Sequence, residues 1–149
     1  MSETAGKKNI IAQLKARLFA YPTIKANIER YKKDIEGYQD ENFGRSKSIV
    51  VFAPRCGEPF SVEDCRAARI LTLEKFIDRD EYEIKEIDSA LQTIRDDYYY
   101  PIIPKYFFER KRLKKLCLEI PCDVSTASRK LENLLYKMSL VLYGATVLK

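Results

Sequence analysis

The chain contains no histidine, and only 5 of its 149 residues are glycine. Each shortage removes a class of function. Without histidine, the commonest general base near neutral pH is missing. The few glycines form no phosphate-cradling loop. Paired acids exist, Asp78 with Asp80 and Asp96 with Asp97, but each pair reads as part of a solvated helix face. An enzyme is therefore not expected, nor a cofactor. No apolar run approaches the roughly 20 residues that a membrane span needs, which argues against a membrane partner. The opening residues, MSETAGKKN, are polar with no apolar signal core behind them. A cytoplasmic location is the expectation. The cysteines, Cys56, Cys65, Cys117 and Cys122, include no CxxC pair and lack zinc-knuckle spacing. Reduced, mostly buried thiols without a metal are expected of them.

What is present is length, mixed charge and helical periodicity. A chain of 149 residues fits one domain, or a small domain with a helical extension. It can bury roughly two-thirds of its unfolded surface. The net charge is +5, unevenly spread: residues 1–104 carry 17 Lys/Arg against 18 Asp/Glu, and residues 105–149 carry 10 against 4. A basic excess confined to the last third suits a polyanion partner better than a uniform charge would.

Along the chain, residues 1–8 read as a disordered start. A helical pattern runs through Ile11, Leu14 and Leu18 until Pro22 interrupts it and opens a new helix. Ile24, Ile28, Tyr31, Ile35 and Tyr38 then form a stripe two heptads long, whose partner lies in the same chain or in a second copy, a homodimer. Residues 37–48 read as a loop, and IVVFAP, residues 49–54, as a strand or an extended segment packed on helices. Ser61 followed by Asp64 resembles a capping box, with Phe60 placed for a hydrophobic staple. Apolar residues then recur at helical spacing from Val62 to Tyr98, a length that predicts a bend or break near Arg79. YYYPIIP, residues 98–104, ends the pattern. Tyr106, Phe107 and Phe108 set three aromatics against the basic region, and residues 108–120 read as a short amphipathic helix. Leu113, Leu116, Cys117 and Ile120 face inward. Arg110, Lys111, Arg112, Lys114 and Lys115 face out. After Asp123, a last helix buries Val124, Ala127, Leu131, Leu134, Leu135, Met138 and Leu142. The fold class is all-α. Its segments are an N-terminal helical arm and loop (1–60), a long or bent central helix (61–104) and a basic helical region (105–149).

A short basic helix, a turn of about four residues and a second helix with Asp123 as its N-cap make the outline of a helix-turn-helix. The first helix can cross the phosphate backbone while the second enters the major groove. Lys111, Arg112, Lys114 and Lys115 are the candidate contacts on the first helix. On the second, Ser125, Thr126, Ser128, Arg129, Lys130 and Asn133 lie near its start and off the buried stripe. Short hydroxyl side chains allow close approach to a duplex. Arg129 can pair with guanine through two donors, and Asn133 either reaches adenine or is merely solvated. Lys130 and Lys137 suit phosphates.

Residues 87–144 resemble the fourth-region fold of sigma-70 factors, and more specifically small phage transcriptional regulators of the RinA and ArpU kind. The likeness rests on a helix like residues 87–98, an aromatic stretch like 105–108, and a leucine-rich helix closing on Leu142, Tyr143 and Gly144. YPTIKANIERYKKDIE near the head and SVEDCRAARILTLEKFIDRDEYEIKEIDSAL in the middle extend it. It implies an activator of phage or prophage late genes that binds double-stranded DNA near promoters and contacts RNA polymerase. By position, residues 111–118 match the positioning helix and 125–130 the reading end of the recognition helix. The chain departs from the pattern in KKLCLEIPCD, which has Pro121 and Cys122 in the turn and no glycine there. The alternatives are a phage terminase small subunit, or a phage-derived adaptor whose basic surface binds an acidic protein.

Overall fold

The computed structural model describes residues 2–40 and 61–148, and the regular elements among these are all helical. Helix α1 is Ser2–Gln39, α2 is Val62–Ile94, α3 is Leu113–Glu119 and α4 is Val124–Tyr143. A π-helical turn, Pro104–Phe108, precedes α3, and a 3-10 turn, Gly144–Leu148, follows α4. The chain forms two compact units, one from Met1–Thr23 and Glu83–Lys149, the other from Ile24–Tyr82. No described helix is long and apolar enough to cross a membrane. The expected segment at 49–54, most of the expected loop at 37–48, and Cys56 and Phe60 lie outside the described residues. Gly37 and Gln39 belong to the last turn of α1.

The first unit is organised by the apolar face of α4. Ala127, Leu131, Leu134, Leu135 and Met138 recur at the spacing that puts them on one side of a helix, and all are buried. Against them collect Leu14, Leu18 and Tyr21 of α1, Ile87, Ala90, Leu91 and Ile94 of α2, and Leu116 and Ile120 from α3 and its end. Ile102, Ile103 and Phe107 complete the cluster. Each leucine, isoleucine, phenylalanine or methionine of the cluster contributes about 1.5–3 kcal/mol when fully buried. Val124, expected on this face, is instead 45% exposed. It is the first residue of the helix, before the stripe reaches the core.

Three expectations about helix continuity are corrected. The head is helical from Ser2, not disordered. Tertiary contact holds it: Lys7 lies over the ring of Tyr136 at 4.3 Å, and Lys15 pairs with Glu132 at 2.9 Å. Pro22 sits inside α1 and does not end it. The residues before it are anchored by Tyr21, whose hydroxyl donates to Asp88 Oδ1 at 2.5 Å and whose ring stacks on Phe108 at 4.5 Å. Burial, then that hydrogen bond, holds the Tyr21 phenol well above its usual pKa. Finally, α2 passes Arg79 as one helix and stops at Ile94, leaving Tyr98 outside it and 68% exposed.

In the second unit, the stripe of α1 finds its partner in α2 of the same chain. Tyr31 meets Phe76 with ring centroids 5.7 Å apart, and Lys32 lies 3.5 Å from Glu81. Ile28, Leu73 and Ile77 are buried. Asp80, expected on a solvated face, is buried too, and Arg79 Nε donates to its carboxylate at 3.1 Å. The start of α2 is capped as expected, with the Asp64 N–H donating to Ser61 Oγ at 3.1 Å.

Candidate nucleic-acid interface

The approach to α3 differs from the expected helix over residues 108–120. Phe107 is fully buried, its ring 4.8 Å from that of Phe19, and Tyr106 and Phe108 also pack on α1 aromatics. The three aromatics therefore serve the core rather than the basic surface. The Glu109 N–H donates to the Pro104 carbonyl, and Lys111 N–H to the Lys105 carbonyl at 3.0 Å. Arg110 takes φ of 57°, a left-handed conformation that breaks any continuous helix. Its guanidinium lies over Phe19 at 5.3 Å. So α3 begins only at Leu113.

Between α3 and α4 the chain turns over four residues. Ile120 is extended, with its N–H donating to the Leu116 carbonyl at 2.8 Å. Asp123 is also extended and stands at the N-cap of α4. Its side chain, however, makes no capping bond, contrary to expectation. Only its carbonyl is engaged, accepting from Ala127 N–H at 2.9 Å. Among the described residues only Arg110 and Gly144 have positive φ, so this turn requires no glycine. Pro121 and Cys122 are compatible with it for that reason. Partial burial and a hydrogen bond with Cys122 raise the pKa of Cys117. That disfavours the thiolate at neutral pH.

The basic residues of the first helix divide into two groups. Arg112, Lys114 and Lys115 are exposed and pair with no acid among the described residues. Lys111 is half-buried and spoken for: its ammonium lies 3.3 Å from Glu119 and 3.7 Å from Glu109. Lys105 reaches the same Glu119 carboxylate at 2.5 Å. Hydrogen bonds from Lys105 and Lys111 hold the Glu119 carboxyl below the ordinary carboxylate range.

The residues on α4 divide likewise. Ser125, Ser128 and Arg129 are exposed, and Arg129 pairs with no acid among the described residues. Thr126 is half-buried. Lys130 is half-buried as well, its ammonium 5.4 Å from the centre of the Tyr99 ring. Lys137 lies 3.8 Å from Asp97. Asn133 is exposed but lines a groove of about 550 Å³ shared with the head of α1. The face of α4 is thus open at its first turns and flanked by α1 from Glu132 onward.

Several residues escaped sequence reasoning. Leu118, on the outward side of α3, is 85% exposed, and Val124 opens α4 to solvent. Lys7, Lys8 and Lys15 line the groove beside Asn133. Lys8, Ile11 and Lys15 stand at spacings of one helical face. That spacing is the available signal, masked at Lys8 by the polar composition of the head. Compared with protein families, curated proteins and solved structures, the chain matches none of them.

Proposed function

We propose that the chain binds double-stranded DNA through α3, the four-residue turn and α4, used as a helix-turn-helix resembling the fourth region of sigma-70 factors. Its role in this reading is to regulate, as an activator, the late genes of a phage or prophage. One observation carries the reading. A helix fixed by a buried apolar stripe presents Ser125, Ser128 and Arg129 at its exposed start, and the preceding helix presents Arg112, Lys114 and Lys115. In a recognition helix the N-terminal residues reach base edges while the first helix crosses the phosphates. Arg129 is the base-reading candidate, and the α3 cations suit phosphates. Lys111 and Lys137 contribute less, since each already lies against a carboxylate.

Binding of labelled duplex DNA over a range of salt concentrations tests this reading. Affinity falls steeply with salt when phosphates are neutralised. Arg129→Ala should relax sequence preference at one position, a change of about 1–3 kcal/mol in discrimination. Binding insensitive to salt would remove the phosphate contacts, and binding untouched by both Arg129→Ala and Lys130→Ala would remove α4 from the interface. Selection of fragments from random duplexes separates a promoter-like site from the packaging-site preference of a terminase small subunit.

The adaptor reading also keeps one specific support. Leu118 is a large apolar side chain, almost fully exposed, on the basic helix α3. An exposed apolar side chain on a helix that also presents Lys114 and Lys115 suits an acidic protein surface, whether RNA polymerase beside DNA or a partner without DNA. Leu118→Ser that abolishes polymerase capture but preserves duplex binding would assign this residue to the protein contact.

A further inference from the structure

The groove between the head of α1 and α4 takes no part in the helix-turn-helix reading apart from Asn133 in its lining. It has a volume of about 550 Å³ and is lined by Lys7, Lys8 and Lys15 from one side and by Glu132, Asn133 and Tyr136 from the other. The lining thus carries three lysines, one carboxylate and the apolar side chains of Ile11 and Ala12. Lys15 is neutralised by Glu132 at 2.9 Å, and Lys7 stands over the Tyr136 ring at 4.3 Å. Lys8 is exposed and has no acid partner among the described residues. The groove is positive and open, and it has room for more than a water-filled crease.

Its position on α4 matters as much as its charge. Arg129 and Asn133 are four residues apart, so they lie on one face of the helix, separated by about 6 Å along the axis. Backbone flanking a base touched by Arg129 can therefore reach the groove about one helical turn further along α4. The acid in the groove is held by Lys15, which leaves Lys7 and Lys8 as the cations able to meet a phosphate.

We infer that this groove seats the phosphate backbone flanking the site read by α4, with Lys7 and Lys8 as its phosphate contacts. The inference rests on the duplex-binding reading above and adds a second, sequence-independent contact surface from the opposite end of the chain. Glu132 weakens that surface by occupying Lys15. The contact would position the protein without selecting bases.

The full-length protein carrying Lys7→Gln and Lys8→Gln decides the matter. Affinity for a selected duplex and for an unrelated one is measured between 50 and 200 mM salt, with melting by circular dichroism as the fold control. Each phosphate contact adds about 0.9 to the slope of log affinity against log salt. Losing two contacts should lower the slope by up to about 1.8, so that the native chain loses roughly 12-fold more affinity over that salt range than the variant. Both duplexes should weaken by the same factor. Glu132→Gln, which releases Lys15, should raise the slope by up to about 0.9, and it decides the case if the double variant melts early. A double variant that melts normally and keeps the native slope overturns the inference alone, provided Arg129→Ala still alters sequence preference. A native chain that does not bind duplex DNA overturns both readings.

Discussion

At the scale of single residues, Glu119 is the side chain that tunes the basic surface. It accepts from both Lys105 and Lys111, and these bonds hold its carboxyl below the usual range. The folded pKa is lowered, so the stabilisation is complete above the unfolded value of about 4.3 and is lost as the pH falls through the folded value. Glu119→Gln should therefore melt below the native chain at neutral pH, and the gap should close in acid. Thermal melts at pH 7 and pH 3 check the sign. A gap that persists unchanged at pH 3 would mean the carboxylate is not its source. Gly144 offers a different residue-level test. Its φ of 62° and ψ of −145° fall where side-chain-bearing residues are strained. An added Cβ meets nothing within 4 Å, so only backbone strain opposes Gly144→Ala. About 1–3 kcal/mol of destabilisation is expected, read as a lower urea midpoint with an unchanged slope. A midpoint within error of the native one would show that the chain relaxes at the end of α4.

At the scale of elements, the parts legible in the sequence are those in which local pattern and tertiary contact agree. The stripe Ala127, Leu131, Leu134, Leu135 and Met138 is read from spacing alone because a helix with that face has one way to bury it. The inward residues of α3 follow for the same reason. Where tertiary contact overrides local preference, the sequence misleads. Pro22 signals a boundary, yet Leu18 and Tyr21 are buried on one side of it and α1 continues. Arg110 carries no signal for positive φ; its conformation follows from packing the aromatics at 106–108 inward and its own guanidinium over Phe19. The N-cap at Asp123 is placed correctly by residue type, but residue type does not tell whether the carboxylate bonds. Of the candidate site, exposure at Ser125, Ser128 and Arg129 was legible. The pairing of Lys111 with Glu119 was not, because it depends on where α3 begins. Pro22 also yields the element-level prediction. An interior proline costs about 3 kcal/mol relative to alanine, offset by up to about 1 kcal/mol through the stiffer unfolded chain. Pro22→Ala should stabilise by about 2 kcal/mol, a rise of about 4–8 °C in melting temperature. No rise would mean that α1 accommodates the missing N–H without strain.

At the scale of the molecule, stability is divided between two units of unequal core. The unit formed by Met1–Thr23 and Glu83–Lys149 gathers α4, α3 and parts of α1 and α2 around one large apolar cluster. Among the described residues of Ile24–Tyr82, the buried apolar side chains are Ile28, Leu73 and Ile77. Segments with few buried contacts open at lower free energy than the core. Amides of residues 26–38 and 66–80 should accordingly exchange with solvent sooner than those of 87–94 and 127–140. Leu73 is almost wholly buried, at 1% exposure, so Leu73→Ala removes about 2–5 kcal/mol from the smaller unit. If opening is local, the variant loses protection in 26–38 and 66–80 and keeps it in α4. Its DNA binding, on the proposed reading, should be unchanged, because the residues assigned to the duplex all belong to the larger unit. Hydrogen exchange followed by mass spectrometry distinguishes this from a single cooperative fold, in which Leu73→Ala would lower protection of the slowest amides throughout the chain by one common factor.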